Sequence, residues 1–131
     1  MSNKNTNIQI FSPATLANLG PGFDSIGLAV DIWNIFEFEF ETKNFNIEIQ
    51  GEGEKTLPKN SSNLVYKSFS LPFDFLNINI PIISLSIKNN INLESGMGSS
   101  SSAISAGLIA ANYYLSDKFT KTELIENVPK S

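Results

Sequence analysis

The chain has 131 residues, room for one ordinary domain, and its 41% hydrophobic and 17% charged residues suit a globular core rather than a disordered segment. A formal charge of −4 argues against gripping a nucleic-acid backbone, which takes a basic patch. With no cysteine and no histidine, disulfides, thiolate catalysis, Cys-based metal sites and Ser-His-Asp chemistry within the chain are excluded.

Met1-Ser2-Asn3-Lys4-Asn5-Thr6-Asn7 is polar and lacks the apolar core of a signal peptide. No apolar run approaches the roughly 20 residues that span a membrane, so a cytoplasmic location is expected. Ile8-Gln9-Ile10-Phe11 reads as a short strand, and the Pro, Gly, Ala and Asn of Pro13 to Asp24 as a loop with turns. Leu28-Ala29-Val30 resumes an apolar run. From Ile35 to Glu41 the alternation is clean: Phe36, Phe38 and Phe40 share one face, Glu37, Glu39 and Glu41 the other. That is a half-buried strand with a wet acidic face. Asn46 to Gln50 repeats the pattern through Ile47 and Ile49, and Gly51 to Ser62 is a polar loop.

Between Asn63 and Leu76 the period lengthens, and Leu64, Val65, Phe69 and Phe73 suit one helix stripe. Pro72 is expected to end or kink that helix. Ile82 to Lys88 alternates again as a strand. After a Gly/Ser segment, Ser99 to Leu115 reads as a helix with an apolar stripe of Ile104, Leu108, Ala111 and Leu115. Its Ser102, Ala106 and Ala110 leave a flat side for close packing. Thr120-Lys121-Thr122-Glu123 is a capping box that starts a further helix, which reaches Val128 before Pro129. The order argues an α+β domain with a mixed or antiparallel sheet backed by helices. The new helix so close to Ser131 leads us to expect a fragment of something longer.

The stretch Glu94-Ser95-Gly96-Met97-Gly98-Ser99-Ser100-Ser101-Ser102-Ala103 carries the chemistry. Two glycines free the backbone to approach a ligand closely. Serines at a helix N-terminus then offer N–H groups and hydroxyls to an anion, above all phosphate. The P-loop requires Lys after its second Gly, whereas Gly98 is followed by Ser99; the dinucleotide fingerprint requires a third Gly where Ser101 stands. A flexible linker is disfavoured by the strand pattern before the run and the helix pattern after it.

Ser95 to Ala103 resembles the ATP-binding motif of the GHMP kinases, the group of galactokinase, homoserine kinase, mevalonate kinase and phosphomevalonate kinase. The family pattern has Pro where this chain has Asn92, and Leu where it has Met97. The first change costs loop rigidity but no ligand group, and the second is mild. Upstream, Ser12-Pro13-Ala14-Thr15-Leu16-Ala17-Asn18-Leu19-Gly20-Pro21-Gly22-Phe23-Asp24, followed by Ile26-Gly27-Leu28-Ala29, resembles the first motif of the homoserine kinase branch. Asn63-Leu64-Val65-Tyr66 is similar to the segment that places an Asn beside the adenine.

The resemblance implies a ribosomal protein S5 domain 2-like fold, the N-terminal GHMP kinase domain, spread over residues 1–131 with the C-terminal GHMP domain absent from it. It implies ATP and Mg²⁺ as cofactors and L-homoserine as substrate, phosphorylated on its side-chain hydroxyl, with no nucleic acid, no membrane, and a homodimer as an option for the longer protein. Nucleotide binding falls to Asn63, Glu94, Ser95, Gly96, Met97, Gly98, Ser99, Ser100, Ser101 and Ser102, with Ser100 as metal ligand. Asn18 and Asp24 bind substrate, and no catalytic base is assigned. The Mg²⁺-ligating Glu, the substrate arginines and a later glycine-rich motif of the family would lie beyond Ser131, so the fragment is expected to be inactive alone. Each assignment has a plainer counterpart: turn residues at Asn18 and Asp24, helix capping at Asn63 and Ser100, and a surface role for Lys88. Two other readings remain: another small-molecule GHMP kinase, such as one of the mevalonate pathway, and a non-catalytic S5-like binding module.

Overall fold

The computed structural model describes residues 6–16, 28–91 and 99–116. Among them the elements follow in the order β1 (Asn7–Leu16), β2 (Leu28–Phe40), β3 (Asn46–Gly51), α1 (Leu64–Leu76), β4 (Ile83–Asn89) and α2 (Ser99–Tyr114). The sheet has four strands in the order β1-β2-β4-β3. β1 and β4 both run antiparallel to β2, while β3 runs parallel to β4, with α1 as the crossover between those two. The expectation of a mixed sheet backed by helices holds.

The period-2 alternation decides which face is covered. Phe36, Phe38 and Phe40 of β2, Ile47 and Ile49 of β3, and Ile83, Leu85 and Ile87 of β4 are all buried. Glu37, Glu39, Glu48 and Lys88 point to the other, exposed face. Helix α1 lays Val65, Phe69 and Phe73 onto the apolar face. Phe38 stacks on Phe69 at 5.7 Å and Phe69 meets Phe73 at 5.1 Å between ring centroids. Burying one such ring contributes about 1.5–3 kcal/mol, and well-placed ring pairs add to that.

Three elements depart from the sequence-based reading, each for a physical reason. β1 does not stop before Pro13 but continues to Leu16. It is an edge strand, where a missing N–H is tolerated, and the register shifts right at Pro13/Ala14, where the partner jumps from Trp33 to Val30. α1 runs through Pro72 to Leu76, with the proline ring buried. That burial offsets the one backbone bond the proline cannot donate. In α2 the flat side is fully covered, with Ser102, Ala106, Ala110 and Gly107 buried, while of the expected stripe Leu108 and Ala111 are buried and Ile104 and Leu115 only half-buried.

The reason is the closeness of α1. A Cβ on Gly107 would stand 2.3 Å from the Val65 carbonyl oxygen and 2.8 Å from the Phe69 nitrogen. Further along, the Tyr114 ring lies 5.9 Å from Phe73 and 5.1 Å from Phe40. The start of α1 therefore faces the middle of α2, and the end of α1 faces the end of α2. The two helices run in the same direction, with their N-termini at one end of the domain. At the far end the Tyr114 hydroxyl donates to a Glu41 carboxylate oxygen. Burial foremost, and then the Glu41 carboxylate, push the Tyr114 phenol up to about 12, so it remains a donor throughout the neutral range. Gly107→Ala is expected to destabilise the domain by about 1–3 kcal/mol through overpacking, despite alanine's helix propensity advantage of about 1 kcal/mol. The midpoint of urea unfolding checks it; an unchanged or higher midpoint contradicts the close approach.

Candidate functional site

Helix α2 opens on four consecutive serines. The first turn of any helix carries N–H groups with no intrahelical partner and the positive end of the macrodipole. No acidic residue occupies that turn to neutralise it. Ser99 is half-buried, and Ser100 and Ser101 are exposed. Ser102 differs: it is 5% exposed and its hydroxyl has no hydrogen-bond partner. The expected nucleotide ligands Glu94, Ser95, Gly96, Met97 and Gly98, and the expected substrate ligands Asn18 and Asp24, lie outside the described residues, as does the helix expected from Thr120.

Asn63 is the N-cap of α1, with extended backbone (φ −62°, ψ 135°). Its Oδ1 accepts the Val65 N–H at 2.9 Å, and its Nδ2 donates to the Pro58 carbonyl at 2.9 Å. The capping role set beside the adenine role is thus seen directly. At 3% exposure, the Asn63 amide ties the 58–63 loop to the helix start. The neighbouring Tyr66 ring packs edge-on against Phe45 at 4.9 Å, and burial, then Asp74, raises its phenol above the usual range. A groove of about 400 Å³ lies along α1, lined by Leu64, Lys67, Ser68, Ser70, Leu71 and Asp74, with Ile104 of α2. The α1 start that Asn63 caps is level with the middle of α2, and the serines begin about two turns earlier along α2.

A second cluster went unread in the sequence. Asn34 of β2 is 1% exposed, and its Oδ1 accepts the N–H groups of both Asn90 and Ile91, at 2.8 and 2.9 Å. The Asn90 side chain returns a bond to the Trp33 carbonyl at 2.7 Å. The available signal was phase: residue 34 falls on the same face as Phe36, Phe38 and Phe40, so a polar side chain there sits at a core position. Lys88 belongs to the opposite, open face, beside Glu37, Glu48 and Gln50. Among the described residues no group of three or more His, Cys, Asp or Glu is placed to hold a metal ion, and no helix is long and apolar enough to cross a membrane.

Residues 63–131 match the family model of the GHMP kinases N terminal domain. The chain belongs to that family. Its similarity within the family is to proteins named homoserine kinase: 39% identity to one from Petrotoga mobilis over 90% of this chain and 38% of the relative, and 41% to one from Clostridium botulinum over 94% and 40%. The crystal structure of homoserine kinase from Cytophaga hutchinsonii superposes with a TM-score of 0.77 at 29% identity, covering 97% of this chain and 41% of that one. The mevalonate kinase of Methanococcus jannaschii shares the fold, with a TM-score of 0.66 at 16% identity. The chain spans about two fifths of the length of the curated relatives it matches.

Asn63→Ala is expected to cost about 1–2 kcal/mol through loss of the cap. Asn63→Ser, which retains an acceptor for the cap without setting a charge against the Pro58 carbonyl, recovers part of it. Thermal unfolding of the two variants side by side checks this; equal losses contradict the capping geometry.

Proposed function

We propose that this chain forms the nucleotide-binding part of a homoserine kinase, which transfers the γ-phosphoryl group of ATP to the side-chain hydroxyl of L-homoserine. The observation that carries the reading is the 39% identity to a protein of that name along 90% of this chain, an alignment wide enough to reach from the Asn18 and Asp24 motif to the serines of α2. In the reaction the homoserine oxygen bonds to the γ-phosphorus as the bond to the bridging oxygen of ADP breaks, and the hydroxyl proton leaves to solvent. Such transfer depends on positioning and charge neutralisation more than on covalent help.

The residue types suit that division of labour. The N–H groups at the start of α2 attract the phosphates, and Gly96 and Gly98 let the preceding backbone close around them. The groove lined by Leu64 and Ile104, beside the α1 start that Asn63 caps, offers the nucleoside apolar walls. Asp24 and Asn18 meet the ammonium and polar groups of homoserine, a charge-assisted pairing. Ser100 offers Mg²⁺ one exposed hydroxyl oxygen. That fits a hard cation that takes few protein ligands and completes its octahedron with water and phosphate oxygens; when bound, it neutralises charge on the phosphates. The cytoplasm is the compartment that this reading assigns.

An ADP-release assay on the intact gene product, over homoserine, mevalonate and galactose, is expected to show ATP-dependent turnover with homoserine alone. Preference for another alcohol overturns the substrate, and no turnover with any overturns the activity. Ser100→Ala is expected to lower turnover about ten- to hundredfold and to raise the Mg²⁺ requirement. Unchanged kinetics across a Mg²⁺ titration remove Ser100 from the metal.

A further inference from the structure

The Gly/Ser segment is useful to a phosphate only if its two ends are fixed, because glycines that bend freely also cost entropy when they are ordered. One end is α2, a continuous helix from Ser99 that is held against α1 at Gly107, in its middle. The other end is the exit from β4. There the ladder between β4 and β2 closes with Lys88 opposite Ile35, and the following N–H groups of Asn90 and Ile91 have no strand to pair with. The Asn34 amide takes the place of that strand, with one oxygen accepting both N–H groups. The Ile91 side chain is fully buried, and Asn90 reaches back to the Trp33 carbonyl. Three hydrogen bonds and a buried side chain fix the chain three residues before Glu94.

From this we infer that Asn34 is a positioning residue for nucleotide binding: through Asn90 and Ile91 it sets where the phosphate-binding segment leaves the sheet. The inference rests on the nucleotide reading above. The residue type follows from the task. A leucine of similar size would leave the part-buried Asn90 N–H and the buried Ile91 N–H unpaired, the latter at a cost of about 1–3 kcal/mol. An aspartate would accept both bonds but set a negative charge at the root of a segment that must hold a triphosphate.

The test compares Asn34→Ala and Asn34→Ser with Phe36→Leu, a core truncation on the same face of the same strand, in the intact enzyme. Asn34→Ala is expected to raise KM for ATP about tenfold or more while KM for homoserine moves less than about twofold. Asn34→Ser, with a shorter acceptor, falls between. Phe36→Leu is expected to lower the melting temperature without moving KM for ATP. Should both Asn34 variants fail to fold, hydrogen exchange of the wild-type enzyme decides: slow exchange at the Asn90 and Ile91 amides supports the anchor, and open-loop rates overturn it. Wild-type enzyme that binds ATP alongside an Asn34→Ala variant that binds it equally well overturns this inference alone. Wild-type enzyme that binds no ATP overturns the nucleotide reading instead.

Discussion

The stack of aromatic rings between β2 and α1 is the constraint on which the rest of the domain depends. Phe38, Phe40, Phe69 and Phe73 meet across the helix–sheet interface with centroid separations of 5.1 to 6.3 Å. Rings of that size set the height of α1 above the sheet. They leave a gap beside α1 that only a helix with a small-residue face can fill. Ser102, Ala106, Gly107 and Ala110 supply that face, so the position of α2 follows from the phenylalanines of β2. Tyr113 and Tyr114 extend the stack over Phe40, carrying the same packing to the end of α2.

The strands were legible because alternation is a direct record of which face is covered. Phe36/Phe38/Phe40, Ile47/Ile49 and Ile83/Leu85/Ile87 were all readable without coordinates, and all point inward. Proline was misread twice, at 13 and at 72, and in opposite contexts. At an edge strand with a register shift, and in a helix whose proline ring is buried, tertiary packing overrode the local penalty. Local sequence cannot show which strand is at an edge, nor which side of a proline faces a core. Of the stripe expected on α2, Leu108 and Ala111 are buried but Ile104 and Leu115 only half so, for a related reason: distance to a neighbouring helix is not written in hydrophobicity.

The two halves of the site differ in legibility. The Gly96–Ser102 run announces an anion site by composition and order, and Asn63 by its place before an apolar-periodic segment; the latter now stands described as a cap with both ends of its amide engaged. Asn34 and Asn90 were passed over because asparagine is common throughout this chain, and one more in an apolar strand drew no notice. Its meaning depends on a partner 56 residues away in sequence.

The parallel course of α1 and α2 has an electrostatic consequence. Two positive helix ends share one end of a chain whose overall charge is −4. Helix-end attraction fades within the first turn, whereas net charge acts out to a Debye length of about 8 Å in physiological salt. A polyanion approaching these helix ends would be repelled at a distance by the net charge and attracted only on contact. Recognition of that kind selects by contact geometry and gains nothing from long-range steering.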